Sequence, residues 1–445
     1  MNKLIYIFFT ALIVQSCGKD SLPNPLDIRL AKTLERVAPM GELTDFILPD
    51  SDDYDRIPSG PKNPLTKQKV ELGKMLFFET GLARDPQYPN GLGSYSCATC
   101  HVPSAGFMPG RQQGIADGGI GFGKNGEQRE KLNNYLAEEV DVQGARALSM
   151  LNVAYVTNTT WSGKFGAFYA NEGTEHLWGI DDPTTEPNHL GLDGLEAQNI
   201  EGLKLHRMRI DNFVLDTLGY RQMYDEAFND LSIEERYSPI STSFAISAYL
   251  RTLLTNQAPF QEWLKGNTEA ITAQEKRGAA LFYSKAGCYR CHQGPALSAT
   301  EFHAIGVNDL CDIPGSLATG INDIRNMGRG GFTLRVHEMY QFKVPGIYNM
   351  SDSPFYFHGS SKNSLREVVE YFNEGIPENT RVPQSHISPF FHPLNLTEYE
   401  MDDLVAFLEN ALRDPALERY VPEQVLSNSC FPNNDPSSRL DLGCE

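Results

Sequence analysis

Cys97-Ala98-Thr99-Cys100-His101 and Cys288-Tyr289-Arg290-Cys291-His292 decide how this chain of 445 residues is read. Each is a Cys-x-x-Cys-His motif, the attachment signature of a c-type haem. The chemistry explains the spacing: two thiols three residues apart can each close a thioether on one of the porphyrin's two vinyl groups. The adjacent histidine then projects toward the iron as an axial ligand. At the chain's own Cys and His frequencies, roughly 0.003 such motifs are expected by chance, so two are not accidental. A thioredoxin-like site would need a βαβ context, and the surroundings read as helical. A zinc site would need further ligands at finger-like spacing, and none stand there. Two covalently bound haem c groups are therefore expected, on Cys97, Cys100 and His101 and on Cys288, Cys291 and His292.

Working outward, each motif sits inside one copy of a weak internal repeat. Leu72-Gly73-Lys74-Met75-Leu76-Phe77-Phe78 precedes the first, and Arg277-Gly278-Ala279-Ala280-Leu281-Phe282-Tyr283 precedes the second. Each copy closes with a stretch whose apolar residues recur at three and four, Ala245 to Leu254 and Asp403 to Leu412, giving one buried helix face. The pattern predicts an all-α chain of two tandem class I cytochrome c-like domains, residues 65–256 and 257–425, with a tail over 426–445. Pro259 and Gly266 mark the boundary, and Thr272-x-x-Glu275 reads as a capping box that starts the next helix. The two histidines stand 191 positions apart (292 − 101), so the first domain is enlarged by long loops. A Gly-rich run from Gly106 to Gly126 and a Trp/Pro/Asp-rich run from Trp161 to Pro187 supply much of that length.

At the other end, Lys3 and the apolar run Leu4 to Val14 form a signal peptide over residues 1–17, too short to span a bilayer comfortably. Val14-Gln15-Ser16-Cys17 resembles a bacterial lipobox, which would make Cys17 the lipidated first residue of the mature protein. Residues 18–64, rich in Pro, Asp and Ser, are expected to be a tether. The protein is thus placed in the periplasm or at the cell surface, held to the outer membrane by its lipid. With 57 acidic against 38 basic residues the net charge is -19. That surface repels nucleic acid and anionic lipid and steers a basic redox partner inward.

With both motifs placed, residues 65–412 resemble the bacterial dihaem cytochrome c peroxidase and MauG family. Leu76-Phe77-Phe78, Leu151-Asn152-Val153-Ala154-Tyr155, Trp161-Ser162-Gly163-Lys164, Phe342-Lys343-Val344-Pro345 and Tyr356-Phe357-His358-Gly359 carry the resemblance, in the family's order. It implies that the N-terminal haem meets hydrogen peroxide and the C-terminal haem takes electrons from a small cytochrome c or cupredoxin. Trp161 matches the family's inter-haem relay, although tryptophan is most often core packing. The family's acid-base glutamate lies in the segment that here runs from Glu196 to Met208. His206 and Glu201 are the two candidates. The resemblance also implies that the protein is often a dimer.

Three departures stand out. No histidine occurs between Val102 and Met150, where peroxidases of the family carry the one that caps the resting N-terminal iron, so that iron is expected to be open. The family's sixth ligand to the C-terminal haem, methionine or tyrosine, is replaced by Phe372, which cannot ligate, and Met350 and Met339 are the substitutes at hand. The asparagine of the family's calcium site is replaced by Arg146, which brings a charge of its own in place of the ion, so calcium is the less favoured expectation. Cys430 and Cys444 can pair in an oxidising compartment, leaving Cys311 without a role. The favoured function is a dihaem peroxidase. The alternatives are a MauG-like enzyme that oxidises side chains of a partner protein, and a plain electron carrier.

Overall fold

Two apolar cores organise the chain in the computed structural model, which describes residues 24–444. The first joins Leu72, Leu76 and Phe77 of the Lys67–Phe78 helix to Ala245, Tyr249 and Leu250 of the Pro239–Arg251 helix. The second joins Ala279 and Phe282 of the Ala273–Phe282 helix to Met401 and Leu404 of the Glu398–Ala406 helix, and to Phe407 just beyond it. In each helix these residues recur at three or four, so they form one stripe that has to find a partner stripe. The helix starts are chemically marked. The side chains of Thr66 and Ser238 accept the amides of Lys69 and Ser241, and capping boxes pair Thr272 with Glu275 and Thr397 with Glu400.

Further helices, among them Gly194–Leu205 and Leu365–Glu374, are joined by turns and short 3-10 segments. Among the described residues strand is confined to two antiparallel pairs of two residues each, Gly119–Ile120 with Glu130–Lys131 and Phe302–His303 with Phe342–Lys343. The Gly-rich run of the first half is folded around one buried guanidinium. Arg129, 1 % exposed, donates to the carbonyls of Ile115, Ala116 and Gly121 and pairs with Asp435 at 3.0 Å. No helix among the described residues is long and apolar enough to cross a membrane.

Two expected boundaries need correction. Residues 24–64 are no extended tether. Pro25–Val37 is a helix, and its Leu30 and Leu34, with Phe46, are buried in the second core. Asp27 completes the anchor by accepting from Trp263 Nε1 at 2.6 Å and pairing with Lys276 at 2.8 Å. Composition hid this, because two leucines four apart are enough for a buried face even among polar neighbours. The second unit also ends earlier than residue 425. Leu417, Tyr420 and Val425 belong to the first core, so the chain returns to its starting unit before the tail begins. The tail then lies against the first Cys-x-x-Cys-His loop: Ser96 and Thr99 hydroxyls donate to Pro432 O, and Asn434 N donates to Ser94 O. Cys430 and Cys444 form a disulfide there. The signal peptide and Cys17 lie outside the described residues.

Candidate active site

Each motif opens onto its own cavity. Cys97, Cys100 and His101 line one of about 520 Å³, and Cys288, Cys291 and His292 line a second of about 240 Å³. The four thiols are free. His101 Nδ1 faces Phe107 O at 3.2 Å, and His292 Nδ1 faces Leu297 O and Pro345 O at 3.0 and 3.1 Å. With the Nδ1 proton given to a carbonyl, Nε2 of each ring is the nitrogen left to bind a metal. Burial pushes both imidazoles down to about 4, which keeps them in the neutral, ligating form. Two unbonded thiols beside a neutral imidazole in a largely apolar cavity fit a covalently bound haem in both places.

The larger cavity holds a histidine paired with a carboxylate. Its wall includes Gln198, Asn199 and Gly202 of the Gly194–Leu205 helix, and His206, the residue that caps that helix. His206 Nδ1 lies 2.8 Å from the Asp141 carboxylate, whose charge raises the imidazole above its ordinary range against the cost of burial. The main chain at His206 is held as well, because Tyr95 OH donates to His206 O. Neighbouring Arg207 turns the other way, into a left-handed backbone conformation, and pairs with buried Asp117. Glu201 does not line the cavity. It is buried on another side of its helix, 3.6 Å from Lys204. Sequence reading named His206 but missed Asp141, which is 65 residues away with no local signal. It also passed over Gln198 and Asn199.

Between the cavities stands a shared wall. Trp161, Arg146 and Lys343 line both. Trp161 Nε1 donates to Arg146 O at 2.6 Å, and Trp161 O accepts from Lys343 N at 2.8 Å. The indole also meets His358 edge-on at 6.1 Å, and His358 stacks on Phe342. The Arg146 guanidinium, 3 % exposed, donates to Arg111 O, Pro109 O and Ser353 Oγ. It thereby occupies the oxygens near Ser353 with its own charge.

In the smaller cavity Phe372 is a lining residue, and Tyr371 is not: its hydroxyl is spent on Ile305 O. Met350 lines the cavity, and so does Met108, contributed by the loop after the first haem motif and not foreseen from the sequence. Met339 does not, its sulfur lying against Gly330.

Residues 67–269 match the family described as "Di-haem cytochrome c peroxidase". The chain is 30% identical over 363 residues to the methylamine utilization protein MauG of Methylorubrum extorquens, covering 81% of this chain and 82% of that protein. It is 27% identical over 375 residues to the cytochrome-c peroxidase IdrP1 of Denitromonas iodatirespirans, covering 79% and 84%. In fold it is similar to the crystal structure of a MauG-like protein associated with microbial copper homeostasis, with a TM-score of 0.57 at 23% identity, covering 83% of this chain and 95% of that one.

Proposed function

The chain belongs to the di-haem cytochrome c peroxidase and MauG family, oxidoreductases with two covalently bound c-type haems, and from that premise we propose that it reduces hydrogen peroxide in the larger cavity with electrons received through the smaller. Cys97, Cys100 and His101 hold the peroxide-facing haem, and Cys288, Cys291 and His292 hold the electron-receiving one. When bound, these groups supply the redox chemistry that splits the O–O bond.

The chain's own residues supply the rest. His206, oriented through Nδ1 by Asp141, presents Nε2 as the base that takes the proton of the inner peroxide oxygen and returns it to the outer one. Overall, one peroxide, two electrons and two protons give two waters. Trp161 relays electrons across the wall, and the donor is a small cytochrome c or cupredoxin drawn in by the acidic surface. The observation that carries this reading is the His206–Asp141 pair in the same cavity as His101.

Stopped-flow mixing of the haem-loaded ferric protein with hydrogen peroxide and reduced cytochrome c tests it. Repeated turnover, with two donors oxidised per peroxide and lost in His206→Gln, is the expected result. A six-coordinate bis-histidine spectrum at the first haem would make His206 an axial ligand and overturn its acid-base role. Low-spin spectra at both haems with no peroxide reaction would leave an electron carrier.

One observation favours a second reading. Phe372, at the sequence position where the family has methionine or tyrosine, lines the smaller cavity. Without a thioether ligand the second haem's potential falls, which suits a MauG-like oxidant of partner side chains better than an electron store. Peroxide consumption that leaves the reduced donor untouched would select it.

The same reading includes two class I cytochrome c-like units in tandem and export to the periplasm or cell surface. It extends to a lipid anchor on Cys17 and assembly as a homodimer.

A further inference from the structure

Lys343 is a buried ammonium without a partner. Its side chain is 3 % exposed, and among the described residues Nζ has neither a hydrogen-bond acceptor nor a carboxylate within ion-pair distance. Arg146, the other cation of this wall, is spent on three neutral oxygens, and three further buried cations are ion-paired. Lys276 pairs with Asp27 at 2.8 Å, Arg129 with Asp435 at 3.0 Å and Arg251 with Glu196 at 2.8 Å. An uncompensated buried charge is strongly destabilising, so its persistence points to an anion that completes the site.

The main chain of Lys343 is held from two sides. Its residue pairs with Phe302 in the Phe342–Lys343 strand, and its amide donates to Trp161 O. The side chain lines both cavities. Burial, unopposed by any charge, pushes the ammonium down to about 8.

The anion that fits is a carboxylate fixed inside these cavities. Each haem brings two propionates, on the edge remote from the vinyl groups that the cysteines capture. We propose that Lys343 Nζ anchors a haem propionate at the wall between the cavities and thereby raises the reduction potential of that haem beside Trp161. This depends on the two haems being present, not on which reaction they serve. The charge argument gives the sign. A fixed cation stabilises the reduced, more negative haem, so its removal makes that haem harder to reduce.

The test uses haem-loaded protein carrying Lys343→Met or Lys343→Arg, with two haems per chain verified by pyridine haemochrome. Both potentials are read by spectroelectrochemistry at several chloride and phosphate concentrations. A lowered potential at one haem in Lys343→Met, restored toward wild type in Lys343→Arg, is the expected result. Unchanged potentials at both haems overturn the proposal. A wild-type potential that follows chloride or phosphate concentration, with Lys343→Met indifferent to it, assigns the site to a free inorganic anion and also overturns it. Should Lys343→Met fail to hold two haems, resonance Raman of the wild type decides. A propionate bending mode that shifts in D2O supports an ammonium partner, and one that does not shift sinks the idea.

Discussion

The carbonyl oxygen of Ala245 lies 1.8 Å from where a β-carbon on Gly73 would stand. The Lys67–Phe78 and Pro239–Arg251 helices therefore cross in near backbone contact, and only the missing side chain permits it. The second unit repeats the relation, with Asp403 O 2.0 Å from the β-carbon position of Gly278. Leu72-Gly73 and Arg277-Gly278 occupy the same place in the sequence repeat, so the repeat records a shared helix crossing.

Gly73→Ala and Gly278→Ala should each cost about 1–3 kcal/mol by forcing these helices apart. Gly320→Ala, where an added β-carbon meets nothing within 4 Å, should stay within about 0.5 kcal/mol of wild type. Urea unfolding midpoints of the haem-loaded proteins check this, and equal midpoints for all three would show that the crossings can relax.

Asp141 sets the proton affinity of His206. Its charge raises the imidazole, so in Asp141→Asn the ring should lose its proton at lower pH. The acid limb of kcat/KM for peroxide should then move to lower pH. His206→Gln should reduce kcat/KM by about 10²–10⁴-fold. A pH profile unmoved in Asp141→Asn would mean that another group carries the limb.

Trp161 touches both cavities, so Trp161→Phe should slow donor oxidation while peroxide still reacts in the first cavity. Donor turnover at the wild-type rate would remove tryptophan from the electron path.

Phe372 lines the second cavity and stands where the family resemblance puts a methionine or tyrosine. Phe372→Met should raise that haem's reduction potential and add a methionine-to-iron charge-transfer band, because a thioether stabilises the reduced iron. Spectroelectrochemistry reads both. Absence of the band would show that the side chain cannot reach the metal, and a band already present in the wild type would show that Met350 or Met108 holds the position.

One buried ion pair pins the tail to the Gly-rich run, so Asp435→Ala should cost about 3–5 kcal/mol near neutral pH by leaving Arg129 without a carboxylate. Burial works against the Asp435 carboxylate, but the Ser438 hydrogen bond and Arg129 together hold it below the usual range. Its stabilisation is therefore present above the unfolded carboxylate's value and lost as pH falls through the folded one. Acid unfolding of the variant should begin from lower stability and depend less on pH. Equal stability of the two proteins at pH 7 would contradict this.

Residue by residue, the sequence was legible wherever chemistry is local. A haem motif is five consecutive residues, a capping box is four, and a helix stripe repeats every three or four, so each can be read without knowing the fold. His206 was reached through the family resemblance, which puts an acid-base residue in its segment, and Cys430 with Cys444 through the oxidising compartment. Asp141, Lys343 and the Arg129–Asp435 pair escaped, since their meaning lies in partners, or the lack of one, that chain distance conceals. Residues 24–46 were misread because a polar average masked Leu30 and Leu34.

By itself, then, the sequence determined two haem attachment sites and a mainly helical chain built on a repeat. Only the tertiary structure decided that His206 and not Glu201 faces the first cavity, that Trp161 stands in a wall lined by two buried cations, and that the C-terminal tail closes the first haem loop. The physical reason is range. Covalent and helical patterns are written within a few residues. Burial and charge pairing are set by which distant segments the two cores bring together, and no short stretch of sequence carries that information.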